Sequence, residues 1–429
     1  MAAAKDSFAA LRFKDFRLYI GIRFFFTFAY QMQIVILGFY VYQLTRNPFT
    51  LGLLGLCEAI PAIGISLYGG YIADKSEKKK MLQFIYSSVL LSTLVMFIAT
   101  MNSMAASIPA HWIVPIIFSM IFVNGVARAF YGPAAFTIFA HSVPKEHYAN
   151  ASTWSSTSWQ IASIVGPALG GLIYGFSENL IPGVSGITFT LAVVLALLVT
   201  AFILVQFLRK YPAMFKPKEN IWKSVGEGLN FVFSNRLMLG AISLDLFSVF
   251  FGGAVALLPV FAHEILHVGA EGLGLMRAAI SSGAVITMLV MSKYSPMGRP
   301  WRNLLIAVAG FGLSIIAFGL STSFYLTLFF LFTQGAFDSV SVVIRGTIMQ
   351  LMVPDEMRGR VSAVNSMFIS SSNEIGDFES GTAASILGTV RAVLFGGCMT
   401  LGIVAFTFFK TRKYIPITLD EINPPKTHE

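Results

Sequence analysis

Acidic residues within long apolar stretches are the side chains of this sequence best placed for chemistry. Glu374 and Asp377 lie three residues apart in the segment SSNEIGDFESG, a spacing that puts both carboxylates on one face of a helix. In a low-dielectric cavity, neighbouring carboxylates share a proton near neutral pH, as a proton carrier requires. We therefore predict that this pair couples protons, with Glu58 and Asp245 as further candidates. Because buried carboxylates also brace helices, a structural role stays open as an alternative.

Several other charges in these stretches favour structural pairing. Arg23 and Asp245 lie at similar depth in the first and seventh stretches and could neutralise each other. Arg128 and Asp338 occupy equivalent positions of an internal repeat with opposite charge, which favours a structural pair, with each other or elsewhere, over a transport role. Two further arginines are expected to reach the aqueous interface by snorkelling, namely Arg277 and Arg345.

Substrate contacts are expected from aromatic and small polar side chains. The first stretch contains RFFFTFAYQMQ and the fifth opens with STWSSTSWQ, which offer rings and amides suited to an amphipathic ligand. Gln31 and Trp159 are the substrate-cavity candidates. The alternative is that these rings face lipid or the protein core.

Membrane-spanning helices must position these residues. Apolar residues (AVILMFWYC) make up 55% of the 429 residues and charged residues 12%, against an ordinary ~25% charged. The apolar stretches fit helices of ~20 residues and lack the ~10-residue alternation of barrel strands. The predicted fold is an all-α integral membrane protein with twelve transmembrane helices in two pseudo-symmetric six-helix bundles. The predicted spans are 18–42, 51–73, 82–101, 113–140, 151–176, 184–208, 238–262, 272–292, 303–321, 324–350, 361–388 and 391–409.

The motifs that the sequence lacks argue against an enzyme. It has no GxxxxGK[ST] phosphate loop, no HExxH and no CxxC, so ATP hydrolysis and metalloprotease chemistry have no support. Cys57 and Cys398 lie inside apolar stretches and provide no disulfide framework. His263 and His267 are interpreted as a loop pair rather than a zinc site. We expect no cofactor, no metal and no nucleic-acid partner, and keep a membrane enzyme or receptor only as an alternative class.

The distribution of basic residues predicts the orientation in the membrane. Of the 30 Lys and Arg residues, 24 fall in alternate segments that include both termini, and only Arg46 and Arg391 fall in the intervening loops. Because positively charged short loops stay in the cytoplasm, both termini are predicted to be cytoplasmic. The N-terminal segment mixes acids and bases and shows no small-residue cleavage site, so it is not interpreted as a signal peptide.

The longest connection is basic and divides the chain. The predicted domains are an N-terminal six-helix bundle over 1–208, a cytoplasmic linker over 209–236 and a C-terminal six-helix bundle over 237–429. Within the linker, apolar residues recur at helical spacing and predict an amphipathic helix at the inner membrane surface. These residues are Ile221, Val225, Leu229 and Val232.

An internal repeat supports this division into halves. At an offset of 210 residues, Asn124-Gly125 aligns with Gln334-Gly335 and Val143-Pro144 with Val353-Pro354. Gly166 and Gly171 align with Gly376 and Gly381 at the same offset. Parallel six-helix repeats joined by a basic cytoplasmic loop are the plan of secondary transporters whose halves rock about a site at the membrane midplane.

Two motifs resemble those of a known transporter superfamily. The loop after the second span reads GYIADKSEKKK and resembles the GxxxDRxGRR loop of the major facilitator superfamily, with Lys75 in place of the usual arginine and Glu77 in place of the usual glycine. The resemblance implies a conformational-switch loop with residues Gly70, Asp74, Lys75, Lys78 and Lys79.

In the fifth span, GPALGG resembles the GPxxGG end of a motif from the antiporter branches of that superfamily. Its helix-packing residues are Gly166, Pro167, Gly170 and Gly171. Thr153 and Ala162 replace the upstream glycines of the motif, and a packing seam without bearing on transport direction is the alternative.

The second half resembles the twelve-span branch that contains macrolide-efflux and enterobactin-exporter proteins. The segments concerned include FFGGAVALLPVFA and VPDEMRGRVSAVN. The resemblance implies proton-driven export of a small amphipathic molecule, drug-like or siderophore-like, by a monomer in the bacterial inner membrane. Its expected partners are the small-molecule substrate, protons and membrane lipid. The alternatives are a facilitator-type importer or a lipid or lysolipid flippase of the same fold.

Overall fold

The described part of the protein is entirely helical. The computed structural model describes residues 8–101, 110–180, 184–210, 221–354, 357–418 and 421, and no strand occurs among them. Helices are the expected solution for a chain this apolar, because a backbone inside hydrocarbon must satisfy its hydrogen bonds within its own segment.

Six long helices precede the linker. Each corresponds to one predicted span, with ends within four residues of the prediction. They are α1 Lys14–Thr45, α2 Pro48–Lys75, α3 Lys78–Thr100, α4 Ala110–Ser142, α5 Tyr148–Leu180 and α6 Gly186–Gln206.

A shorter helix and six further long ones follow. The predicted linker helix is present as α7, Ile221–Ser234. The remaining helices are α8 Arg236–Phe251, α9 Gly269–Lys293, α10 Pro300–Leu320, α11 Phe324–Met352, α12 Arg358–Leu387 and α13 Thr389–Lys410. Helix α8 is interrupted at Gly252-Gly253 and continues as short 3-10, α-helical and π-helical segments to Ile265.

Eleven of the described helical segments are long and apolar enough to cross a membrane. Helix α12 is not among them, although its 30 residues would suffice. It carries Glu374, Asp377 and Glu379 together with many serines and asparagines, and these lower its hydropathy. A polar spanning helix of this kind is expected to face protein or a cavity rather than lipid.

The linker helix α7 packs on protein along its apolar face. Val232 is fully buried in one hydrophobic cluster with Val361 and Val364 near the start of α12, and Leu229 packs against this cluster. The predicted helix is present, and its described apolar residues Leu229 and Val232 pack against α12 and the start of α8 through the hydrophobic effect. The side chains of Ile221 and Val225 lie outside the described residues. The placement of α7 at the inner membrane surface stays a prediction.

Backbone contacts divide the chain into two compact units. The first comprises Met1–Thr45, Cys57–Pro217 and Gly269–Leu275. The second comprises Arg46–Leu56, Lys218–Val268 and Met276–Glu429. The first part of α2 thus belongs to the second unit, and the first part of α9 belongs to the first unit. The division into domains at 209–236 stays a prediction.

A glycine contact recurs at equivalent positions in the two units. In the first unit, a Cβ at Gly171 of α5 would lie 2.8 Å from Cα of Gly274 in α9. In the second, a Cβ at Gly381 of α12 would lie 2.9 Å from Cα of Gly52 in α2. Small residues allow such close helix contact in membranes. Gly381 follows Gly171 by the predicted offset of 210, so the repeat is visible in the packing.

Candidate functional site

The first unit contains a cavity of about 320 Å³ between α1, α3, α4 and α5. Gln31 and Trp159, both predicted as substrate contacts, line it. The Gln31 Nε2 atom donates a hydrogen bond to Ser163 Oγ at 3.2 Å. Trp159 leaves 47% of its surface exposed. The structure therefore brings the two predicted residues to one cavity.

Glu58 holds a charged network at this cavity. Its Oε1 atom accepts hydrogen bonds from Arg128 Nη1 at 2.6 Å and from the Tyr30 hydroxyl at 2.5 Å. Arg128 and Tyr30 line the cavity, while Glu58 reaches them from α2. Arg128 was expected to pair with Asp338 or with another residue, and its partner in the structure is Glu58. Glu58 itself was predicted as a proton-coupling candidate.

Arg23 is the second arginine of this cavity. Its Nη1 atom donates to Ser155 Oγ at 2.5 Å and to the Tyr19 hydroxyl at 3.3 Å. The predicted pairing of Arg23 with Asp245 is wrong, because Asp245 forms its ion pair with Arg345. Depth along a span does not determine pairing, since pairing also depends on how each helix is rotated about its axis.

Aromatic rings surround the Arg23 side of the cavity. Phe26 packs against Tyr86 with ring centroids 4.5 Å apart. Phe26 also stacks on Tyr131 at 5.3 Å with an interplanar angle of 24°. Such offset contacts fix the rings and leave planar apolar surface for a ligand.

The second unit contains a cavity of about 430 Å³. Helices α8 to α12 line it, and Gly252-Gly253 contributes where α8 is interrupted. A Cβ at Gly253 would lie 2.8 Å from the Gly376 carbonyl oxygen, so the close contact of α8 with α12 requires this glycine. The charged and amide residues of the lining are Asp245, Gln334, Asp338, Arg345, Asn365, Asn373 and Asp377.

Asp245 and Arg345 form a buried ion pair in this cavity. Their side chains expose only 9% and 10% of their surface, and Arg345 Nε also donates to Ser341 Oγ at 3.2 Å. The prediction that Arg345 snorkels to the interface is wrong, because the carboxylate on α8 satisfies the guanidinium inside the unit. Asp338 is close enough to both members of the pair to interact electrostatically.

Asp377 of α12 lines the same cavity. Arg277 and Glu374 both interact electrostatically with it. Arg277 Nη2 donates to the Val255 carbonyl oxygen at 3.4 Å, so the prediction that Arg277 snorkels is also wrong. Glu374 is buried at 9% exposure and does not line the cavity, whereas Asp377 does.

The predicted repeat relates the two cavities. Asn124 and Arg128 line the first, and Gln334 and Asp338, at an offset of 210, line the second. Trp159 lines the first cavity, and Ile369, its equivalent at the same offset, lines the second. Asp338 was not predicted as a proton-coupling residue. The sequence signal at Asp338 was its equivalence to Arg128 in the repeat, which was interpreted as favouring a structural pair.

The predicted switch loop lies partly outside the described residues. The backbone of α2 runs to Lys75, but the surroundings of Gly70 and the side chains of Asp74 and Lys75 are outside the described part. Lys78 is buried at the start of α3. Lys79 Nζ donates to the Gln206 carbonyl oxygen at 2.7 Å, which joins α3 to the end of α6.

The GPALGG segment lies at two helix crossings of the first unit. A Cβ at Gly166 would lie 3.0 Å from the Phe28 carbonyl oxygen, and one at Gly170 would lie 3.2 Å from Cα of Met32, both in α1. Gly171 contacts α9, and the Pro167 carbonyl oxygen lies near Gly274. In the described part of the chain, no group of three or more His, Cys, Asp or Glu is arranged to hold a metal.

A comparison with known protein families identifies the family to which this chain belongs. A family model described as a transmembrane secretion effector matches residues 5–425. The chain belongs to this family of the major facilitator superfamily. The protein is therefore a transporter rather than an enzyme, as predicted.

Curated relatives of this chain, at low sequence identity, are named as transporters. The enterobactin exporter EntS of Citrobacter koseri is 23% identical over 362 residues, which cover 82% of this chain and 80% of that protein. The MFS-type transporter YkuC of Bacillus subtilis is 23% identical over 388 residues, 86% of this chain and 79% of that protein.

Solved transporter structures share the fold of this chain. A bacterial homologue of the human lysosomal transporter Spinster has a TM-score of 0.69 at 15% identity over 96% of this chain and 97% of that chain. A D-xylose–proton symporter has a TM-score of 0.70 at 13% identity over 94% and 99%. The predicted fold class is confirmed, and the chain is a multi-pass membrane transporter of small molecules.

Proposed function

We propose that this protein is a proton-coupled exporter of a small amphipathic molecule, drug-like or siderophore-like, that works by alternating access. The secretion-effector family and relatives named as enterobactin exporters support export. A cavity within each unit supports a carrier mechanism, because a ligand and a coupling ion then have separate sites whose occupancy shifts the balance between conformations.

The single observation that carries proton coupling is the excess of carboxylates in the second unit's cavity. Asp245, Asp338 and Asp377 line it, and Arg345 is the only lysine or arginine among its described lining residues. Arg277 interacts with Asp377 from outside that lining. Arg345 is engaged by Asp245, and Asp338 makes no ion pair or hydrogen bond within the described residues. Burying an uncompensated carboxylate is costly, so binding of a proton there relieves the cost.

Each predicted proton-coupling residue then has a role in the proposal. Asp377, with Glu374 beside it, takes up the coupled proton, and Asp338 takes up a proton in the same cavity. Asp245 keeps Arg345 neutralised. Glu58 belongs to the substrate cavity, where it is engaged by Arg128 and Tyr30.

The proposal also covers the membrane orientation and the oligomeric state of the protein. The asymmetry of lysine and arginine supports cytoplasmic termini, and the bacterial exporters among the relatives support the inner membrane. The protein acts as a monomer, since a single chain provides both cavities. The switch loop around Asp74 and the GPALGG helix crossings change contacts during the transport cycle.

Proton flux in proteoliposomes tests the proposal. The lumen contains a pH-sensitive dye, a pH gradient is imposed, and amphipathic dyes, macrolides and siderophores are added in turn. We expect a substrate to stimulate proton flux in the intact protein. The flux should be lost in Asp377→Asn and reduced in Glu374→Gln and Asp338→Asn. Glu146→Gln, a change at an exposed carboxylate between α4 and α5, is the matched control.

Two outcomes would overturn the proposal. Undiminished flux in all three cavity variants would make these carboxylates structural. Substrate movement without any proton flux would favour the facilitator-type importer or flippase of the same fold.

A further inference from the structure

We infer that the cavity of the first unit binds molecules that carry an anionic group on an aromatic body, with Arg23 as the residue that binds the anion. This inference rests on the proposed function, in which this cavity holds the substrate, and it specifies the substrate class.

Arg23 has donors available for an anion. Both of its hydrogen bonds within the described residues, to Ser155 Oγ and the Tyr19 hydroxyl, use the Nη1 atom. Nε and Nη2 make no hydrogen bond there, and neither is sealed from solvent by the protein. A guanidinium presents these two groups as a fork that matches the geometry of a carboxylate or similar oxyanion.

The charge balance of the cavity also favours an anion. Two guanidiniums, Arg23 and Arg128, line it, and no carboxylate is among the described lining residues. Glu58, which reaches the cavity from α2, already accepts hydrogen bonds from Arg128 and Tyr30. A cationic substrate would have to displace Arg128 to gain Glu58 and would still be repelled by Arg23. An anion, in contrast, meets an Arg23 guanidinium that has no carboxylate partner among the residues that the structure describes.

The rings next to Arg23 specify the rest of the molecule. Phe26 and Tyr131 stack at 5.3 Å between centroids, and Trp159 presents a ring that is 47% exposed. Arg23 and these three rings line the same space of about 320 Å³. That volume lies at the small end of ligand pockets, so it fits a ligand or moiety of one or two fused rings.

Binding of three small probes to the purified full-length protein in detergent tests the inference. The probes are 2-naphthoate, 2-naphthylmethylammonium and acetate, which separate the charge from the ring. Binding is measured by equilibrium dialysis at constant ionic strength. We expect 2-naphthoate to bind at least about tenfold more tightly than either other probe. It alone can form both the charge-assisted hydrogen bonds with Arg23 and the contacts with the aromatic rings.

Variants connect the preference to Arg23. Arg23→Gln should weaken 2-naphthoate binding by about tenfold or more, and Arg23→Lys should lose less because the positive charge remains. Arg302→Gln, at an exposed arginine of α10, removes the same charge elsewhere and should bind as the intact protein does. Size-exclusion profiles show whether each variant is folded.

The comparison of probes with the intact protein stands even if Arg23→Gln fails to fold. Tighter binding of the cation than of the anion would overturn the inference, as would equal binding of acetate and 2-naphthoate. Unchanged 2-naphthoate affinity in folded Arg23→Gln would overturn it too. Because binding in detergent involves no proton gradient, these results are independent of whether transport is coupled to protons.

Discussion

Arg345 of α11 forms an ion pair with Asp245 of α8, and Asp338 lies close enough to interact with both. The three residues line one cavity, where Arg345 is paired with Asp245 and attracts Asp338 without forming an ion pair with it. Removing one partner of a buried ion pair leaves an uncompensated charge, whereas removing both can be nearly neutral. The arrangement therefore predicts that Arg345→Gln and Asp245→Asn reduce the stability of the protein by unequal amounts.

The first prediction concerns the stability of this cluster. Arg345→Gln leaves two carboxylates without a cation and should cost about 3–5 kcal/mol of stability. Asp245→Asn should cost less, because Asp338 is available as a partner for Arg345. The double variant Asp245→Asn/Arg345→Gln should recover part of the loss. Thermal unfolding of the purified proteins followed by intrinsic fluorescence gives the four melting temperatures.

If the double variant lost as much stability as the two single variants together, Asp245 and Arg345 would not act as a pair. Equal losses in the two single variants would contradict the role given to Asp338.

The second prediction concerns the glycine contact between α5 and α9. A Cβ at Gly274 would lie 2.8 Å from the Ala168 carbonyl oxygen, which cannot move without shifting α5. Gly274→Ala should therefore lower the melting temperature and reduce transport. Gly402→Ala is the matched control, because nothing lies within 4 Å of a Cβ there. In a helix the control change is neutral or stabilising by up to about 1 kcal/mol. A Gly274→Ala variant as stable and active as Gly402→Ala would show that the close contact is not required.

The helices and their number were predictable from the sequence, because the thickness of the bilayer sets the length of an apolar segment. The polar helix α12 was also predicted as a helix, and its ends lie within three residues of the predicted 361–388. The repeat offset of 210 correctly related Asn124 and Arg128 to Gln334 and Asp338, which line corresponding cavities.

The pairing of charges was not predictable in the same way. Arg277 and Arg345 were expected at the interface because only their depth was visible, but carboxylates on other helices attract them inside the second unit. Which carboxylate a guanidinium meets depends on helix rotation and on local breaks such as Gly252-Gly253. Neither leaves a periodic signal in a single sequence.

The third prediction concerns the sign of the charge in the substrate cavity. Glu58→Gln removes the carboxylate that engages Arg128 and Tyr30. The cavity then becomes more positive, so 2-naphthoate should bind more tightly, by roughly fivefold or about 1 kcal/mol. This change is opposite in sign to that expected for Arg23→Gln. Equilibrium dialysis of both variants measures it, and weaker 2-naphthoate binding in folded Glu58→Gln would contradict the charge argument.

The fourth prediction concerns orientation. In a background with Cys57→Ala and Cys398→Ala, Asn47→Cys and Lys210→Cys each place one thiol at an exposed position. A membrane-impermeant maleimide added to intact spheroplasts should label Asn47→Cys. Lys210→Cys should be labelled only after permeabilisation, because it lies on the basic side of the chain. The reverse pattern would place the termini outside the cell.

Transport in everted membrane vesicles tests the central claim of proton-coupled export most directly. Vesicles with an acidic lumen and the intact protein are given the dyes, macrolides and siderophores in turn, and uptake is followed before and after nigericin collapses the pH gradient. The account predicts that at least one of these molecules accumulates in the lumen, that nigericin abolishes this accumulation, and that Asp377→Asn vesicles show none. Accumulation that is unaffected by nigericin, or that occurs only in right-side-out vesicles, would contradict proton-coupled export.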